Sequence, residues 1–342
     1  MPITNKPIIN WGALTMENMN IHHKTLANMV FTDMQGTFGH EKANYDGKQR
    51  EEHKKNKIGD LFSYKRLSKY EGLLGKKEVR APTTFVGVEV ELEKVEYKRN
   101  PPASCWTDTD DGSLKEKGRE FVSIPIPVKY LEVELLKLLD SLFFCQTSTR
   151  CSIHVHLNVR DFTLQELEKF LILYLIFERS LYRFSGDRWN NNFCVPLRFY
   201  PLYISNMFFC LKRNELSQEW LKYHGLNLSP IFGGESTKLG TIEFRQMEGT
   251  IDVDRIMDWV NLIVSLKISA KAFKYEDLVN EISLMNTTSS YHMLAEKTFK
   301  FCNELITKQP TFKEDIESSI SFLKLVYQKE EKKEDFEVLI PL

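Results

Sequence analysis

The chain has 342 residues, with 46 Lys plus Arg against 47 Asp plus Glu and a formal net charge of -1. That balance excludes a basic coat for general nucleic-acid binding and a polybasic membrane binder. With 42% hydrophobic and 12% aromatic residues, the sequence is well above the disordered regime and can bury one large core or two modest ones.

The N-terminus, MPITNKPIINWGALTMENMN, lacks the charged start and apolar run of a secretory signal. No segment supplies the roughly 18 uninterrupted apolar residues of a spanning helix. The greasiest stretch, Phe170 to Phe177, is bracketed by Glu168, Lys169, Glu178 and Arg179. The expectation is a cytoplasmic protein with no membrane partner. Cys105, Cys145, Cys151, Cys194, Cys210 and Cys302 are scattered without a CxxC pair and read as free thiols of a reducing compartment.

Residues 1–80 read as a charged, partly flexible and exposed extension. Its stretch GHEKANYDGKQREEHKKNKIGD has too little apolar area to offset the entropy of ordering. The body, 81–275, begins in earnest at about Thr84. In FVGVEVELEKVEY, Val86, Val88, Val90 and Leu92 alternate with Glu89, Glu91 and Glu93, the period of a strand. GREFVSIP reads as a second short strand. YLEVELLKLLDSLF has helical spacing, with Leu131, Val133, Leu135, Leu138 and Leu142 near one face. CSIHVHLNV is again a strand, its Ile153, Val155, Leu157 and Val159 opposite Ser152, His154, His156 and Asn158.

Thr163 and Glu166 then form a capping box for a long buried helix ending near Phe184. From Ser185 to Lys238 the pattern loosens into an aromatic-rich stretch. GTIEFRQMEGT is a further strand, with Glu243 and Arg245 on one face and Ile242, Phe244 and Gln246 on the other. Asp252 starts a helix to about Phe273, and residues 276–342 read as a helical region packed on the body, broken at Pro310. The fold class expected is α+β: a mostly antiparallel sheet with a polar face, backed by long helices.

That polar face carries the functional signal. Taken singly, Glu89 with Glu91 reads as a solvated strand face, His154 with His156 as satisfied histidines, and Glu243 with Arg245 as a cross-strand ion pair. Their recurrence in order, beside the loop WTDTDDGSLKEKG, favours a site. Clustered carboxylates repel and need cations or solvent between them. Hard oxygen donors with imidazole suit Mg²⁺ or Mn²⁺. The loop is not an EF-hand, because Arg119 stands where the bidentate glutamate belongs. Two other readings stay open: a metal-dependent hydrolase using Cys145, Cys151, His154 and His156, and a non-catalytic binding module built on Trp189, Phe193, Phe199, Tyr200, Tyr203, Phe208 and Phe209.

GVEVELE, DGSL followed by GREFVS, CSIHVHLNV, KYHGLNL and GTIEFRQMEGTID, in that order from about Phe85 to Trp259, resemble the amidoligase family. That family is a branch of the glutamine synthetase and glutamate-cysteine ligase superfamily of carboxylate-amine ligases. The chain departs from the family at Cys151-Ser152, where relatives often carry a Gly before the HxH strand.

The resemblance implies a glutamine synthetase-like catalytic domain using ATP and Mg²⁺, with Mn²⁺ as an alternative ion. The enzyme would join a small-molecule, peptide or protein carboxylate to an amine through an acyl phosphate, as a monomer or an oligomer. It implies that Glu91 and Glu120, with Asp111, hold the metal near the substrate carboxylate. Glu89, His154 and Glu243 would hold the metal that bridges the ATP phosphates, and His156 would face those phosphates. Arg245 would stabilise the phosphoryl group in flight, and Tyr223 and Asn227 would lie near nucleotide or substrate. The absence of a GxxxxGK[ST] loop agrees with phosphates held by metals on a sheet.

Overall fold

The alternating run FVGVEVELEKVEY forms strand β1 (Phe85–Tyr97) in a computed structural model that describes residues 57–61, 85–98, 105–212, 222–232 and 239–331. With it run β2 (Trp106–Thr109), β3 (Arg119–Ser123), β4 (Ile126–Pro127), β5 (Leu142–Gln146), β6 (Ser152–Asn158), β7 (Leu226–Asn227) and β8 (Thr241–Glu248). They make one sheet in the order β2-β3-β1-β6-β8-β7, with β4 and β5 also paired to β1. The pairings between these strands are antiparallel, as expected of the α+β class.

The helices of ten residues or more are α1 (Val128–Ser141), α2 (Leu164–Phe184), α3 (Pro201–Lys212), α4 (Val253–Ala272), α5 (Tyr275–Leu284), α6 (Thr288–Phe299) and α7 (Phe312–Glu331). The described residues all belong to one compact unit, Arg50–Leu342. Among the described residues no helix is long and apolar enough to cross a membrane.

Helix α2 starts at its capping box: Thr163 Oγ1 accepts from the Glu166 amide at 3.2 Å, and Glu166 Oε2 accepts from the Thr163 amide at 2.8 Å. It is buried along most of its length because β8 lies on one side of it and α3, α4 and α7 on others. The apolar faces of β1, β6 and β8 pack under these helices. Phe244 shows how tightly, with Phe170, Tyr174 and Trp259 ring centroids at 6.1, 6.0 and 6.0 Å, each near edge-on. Removing such a side chain leaves a cavity and costs about 3–5 kcal/mol.

Helix α4 begins at Asp252, whose side chain accepts from the Arg255 amide at 3.1 Å. Near its end the buried Lys267 donates to the Asn158 carbonyl at 2.6 Å and to Asp161 Oδ1 at 2.7 Å, while Lys271 reaches Asp161 Oδ2 at 2.7 Å. These bonds fix the helix to the end of β6. Burial alone would raise the Asp161 carboxyl, but the Lys267 and Lys271 charges and hydrogen bonds hold it below the usual range. Helix α7 is held similarly, by Arg179 and Arg183 on buried Asp315.

Several expectations need correction. Within the supposed exposed extension, Ile58 is fully buried: its amide donates to the Phe162 carbonyl at 2.7 Å, and the Gly59 amide donates to the Arg160 carbonyl at 2.7 Å. The rest of residues 1–80 lies outside the described residues. The loop around WTDT contains β2. The helical reading of 130–143 stops at Ser141, Leu142 begins β5, and Val133 points outward at 50% exposure. The loosely patterned 185–238 stretch contains α3. Cys145, Cys151, Cys194 and Cys302 are free thiols, as expected.

Candidate metal and phosphate site

The register of the sheet builds the site. Across β3 and β1, Glu120 lies directly opposite Glu91; across β1 and β6, Glu89 lies opposite His154. Across β6 and β8, His156 lies opposite Glu243, and across β8 and β7, Glu243 lies opposite Asn227. Period-two alternation then puts all of them on the face away from the helices. The ladder crosses five strands, which is why no single segment of sequence contains it.

Hydrogen bonds lock the side chains together. Glu89 bridges both histidines, with Oε2 2.9 Å from His154 Nδ1 and Oε1 3.1 Å from His156 Nε2. His156 Nδ1 lies 3.1 Å from Thr241 Oγ1. Glu91 Oε2 accepts from the Ser152 amide at 2.7 Å and from its hydroxyl at 2.5 Å, and that hydroxyl is 2.8 Å from His154 Nε2. Glu243 Oε2 accepts from Asn227 Nδ2 at 2.6 Å, while its Oε1 accepts from Arg245 Nη1. Arg245 Nε also donates to the Phe193 carbonyl at 3.4 Å. Asp111 Oδ1 accepts from the Ser113 amide at 2.7 Å, a local turn that aims its carboxylate.

These carboxylates are not the solvated face that each strand suggests on its own. Glu91, His154, Glu243, Arg245 and Asn227 are buried, and Glu89, Glu120, Asp111 and His156 are half-buried. Burial alone would raise the Glu89 carboxyl, but the charge of His156 and hydrogen bonds from both histidines hold it well below the usual range. Glu243 is also lowered: burial opposes this, and the His156, His154 and Arg245 charges prevail. Glu120 moves the other way, pushed up to about 7 by burial and then by the negative charge of Glu89. Burial lowers His156, yet Glu89 attracts its proton strongly enough to raise it to about 8. One crowded face thus drives its acids apart, a pattern typical of functional sites.

Three sets of side chains here could hold a metal ion, with ligand atoms within 4.8 Å of one another: Glu89, Glu120 and His154; Glu89, His156 and Glu243; Glu91, Asp111 and Glu120. All seven residues were singled out in the sequence. Against the expected grouping, His156 shares a set with Glu89 and Glu243, where His154 was expected. Arg245 stands beside Glu243 as its countercharge. Tyr223 is 52% exposed and meets the exposed Phe193 ring edge-on at 5.9 Å, beside the Arg245 contact. None of the three sets contains a cysteine, and burial raises the thiols of both Cys145 and Cys151. The zinc-type reading therefore loses its ligands. Of the aromatic stretch, Trp189 and Phe208 are core, whereas Phe193 is open.

Sequence reasoning missed Ser152 and Thr241 as partners of the histidines. Ser152 was legible by spacing, since it lies two residues before His154 on the same face; Thr241 lies two before Glu243 for the same reason.

No curated protein matches the chain. A family model described as "Putative amidoligase enzyme" matches residues 42–267, extending the span of the sequence motifs toward the N-terminus past the docked segment at Ile58 and through most of α4. With well over half of its length matched by that family, and the matched span carrying the whole acid–histidine ladder, the chain belongs to the amidoligase family.

Proposed function

We propose that the protein is an ATP- and Mg²⁺-dependent carboxylate-amine ligase of the glutamine synthetase-like kind, forming an amide or isopeptide bond through an acyl phosphate. The observation that carries this reading is the ladder of Glu120, Glu91, Glu89, His154, His156 and Glu243 across adjacent strands, closed by Arg245. Its donors are carboxylate oxygens and imidazoles without sulfur, which fits Mg²⁺ or Mn²⁺. With Asp111 the face carries five carboxylates against the Arg245 guanidinium and a His156 raised to about 8, and divalent cations would neutralise the negative charge that is left.

A carboxylate resists attack by an amine because it is an anion without a leaving group. Transfer of the terminal phosphoryl group of ATP gives it one, with ADP released, and the amine then displaces phosphate. The metals would screen the phosphates and orient the carboxylate for this transfer. In this reading Glu91, Glu120 and Asp111 face the acid substrate, Glu89, His154, His156 and Glu243 face the nucleotide phosphates, and Asn227 holds Glu243 in place. Arg245, held on Glu243 here, would stabilise the phosphoryl group in flight, and a metal at Glu243 would supply the countercharge in its place. Tyr223, with Phe193, forms the rim on that side.

The test is a hydroxylamine trap: with ATP, Mg²⁺ and an accepted carboxylate, a hydroxamate accumulates. Arg245→Ala keeps nucleotide binding and loses the hydroxamate. Formation of equal hydroxamate by the Arg245→Ala variant contradicts the assignment.

A further inference from the structure

We propose that Ser152 is a positioning residue that decides which atoms of His154 and Glu91 face the metals, a role that rests on the metal-site reading above. A serine hydroxyl has one proton to give and two lone pairs. Glu91 Oε2, at 2.5 Å, is a carboxylate oxygen and can only accept, so the hydroxyl proton goes there. His154 Nε2, 2.8 Å from the same hydroxyl oxygen, must then be the donor and carry a hydrogen. Nε2 is thereby committed to the serine, and Nδ1 is the ring nitrogen that faces Glu89 Oε2, 2.9 Å away, and Glu243 Oε1 at 3.7 Å. Nδ1 is then the ring atom that would serve a metal held by Glu89, Glu120 and His154.

The same serine divides Glu91. Its amide at 2.7 Å and its hydroxyl both donate to Oε2, which satisfies that oxygen within the protein and leaves Oε1 for the set formed with Asp111 and Glu120. One buried hydroxyl therefore orients a ligand in each of two metal sets. A residue with no side chain at position 152 would supply the amide bond alone, leaving the His154 ring free to turn over. Partners of metal-bound histidines act in this way, fixing tautomer and ring orientation.

The test uses the full chain, Ser152→Ala and Ser152→Thr, with Mn²⁺ alone as the probe, and ¹⁵N spectra of the histidine rings. Ser152→Ala should fold normally, bind Mn²⁺ about 10–100-fold more weakly, and, without metal, lose the hydrogen that wild type holds fixed on His154 Nε2. Ser152→Thr, which keeps the hydroxyl, should retain both properties. Unchanged Mn²⁺ affinity in Ser152→Ala, an unchanged Nε2 hydrogen on His154 in it, or failure of folded Ser152→Thr to rescue each overturns the proposal. Wild-type protein that binds no Mn²⁺ overturns the metal reading instead; metal-free wild-type His154 with no hydrogen on Nε2 overturns the Ser152 assignment.

Discussion

Glu120→Gln should make the metal-free protein more stable while destroying its metal site. Glu120 lies opposite Glu91 across the sheet, and its carboxyl is raised from an ordinary 4.5 to about 7. A raised acid in the folded state means that folding disfavours the ionised form, so ionisation subtracts stability. The penalty is small near pH 4.5, grows as pH rises toward 7 and is complete above it. A displacement from 4.5 to about 7 corresponds to about 3 kcal/mol as an upper limit. Because Glu120 is only half-buried, solvent screening reduces this to about 1–2 kcal/mol. Glutamine keeps the shape and removes the charge. Urea unfolding in EDTA should therefore show Glu120→Gln more stable than wild type by about 1–2 kcal/mol at pH 8 and by much less at pH 5. In the same variant Mn²⁺ affinity should fall by about 100-fold, since about 3 kcal/mol of ligand charge is lost. Equal stability at pH 8, or a loss, would refute the crowding of like charges from which the site is argued.

Metal-free protein should bind Mn²⁺ more tightly as pH rises from 6 to 8, releasing protons as it does, because Glu120 and His156 hold protons with values of about 7 and about 8 that a metal must displace; calorimetry in buffers of different ionisation heat counts those protons. Glu89→Gln should abolish ATP turnover, since Glu89 belongs to two of the three metal sets and bridges both histidines; wild-type phosphate release by the variant would contradict this. Away from the site, Asp161→Ala should destabilise the fold by about 3–5 kcal/mol in urea, because it strands the buried Lys267 charge, and adding Lys267→Met should recover most of the loss.

The strands that carry the ladder were legible because β1, β6 and β8 alternate apolar and polar residues, and only a strand puts Glu89, Glu91 and Glu93 on one side. The starts of α2 and α4 were legible from Thr163–Glu166 and Asp252. What escaped lacks a period. In β2 only Trp106 is buried, so WTDT reads as loop. In β5 the exposed Phe143 and Phe144 follow α1 without a turn residue, so LFFCQ continues the helical pattern. Helix α3 is apolar on too many sides to show a stripe, although Pro201 in its first turn was a start signal. Register escaped as well. The polar face could be listed strand by strand, yet which glutamate meets which histidine depends on long-range pairing, and so does the burial that sets their charges.

Equilibrium binding of ATP to the full chain, with Mg²⁺ or in EDTA, tests the central claim most directly. Mg²⁺-dependent ATP binding that is lost in Glu243→Gln, with the variant still folded, is the result predicted. ATP binding that is equally tight in EDTA, or absent with Mg²⁺, would contradict the assignment of this face to metal and nucleotide.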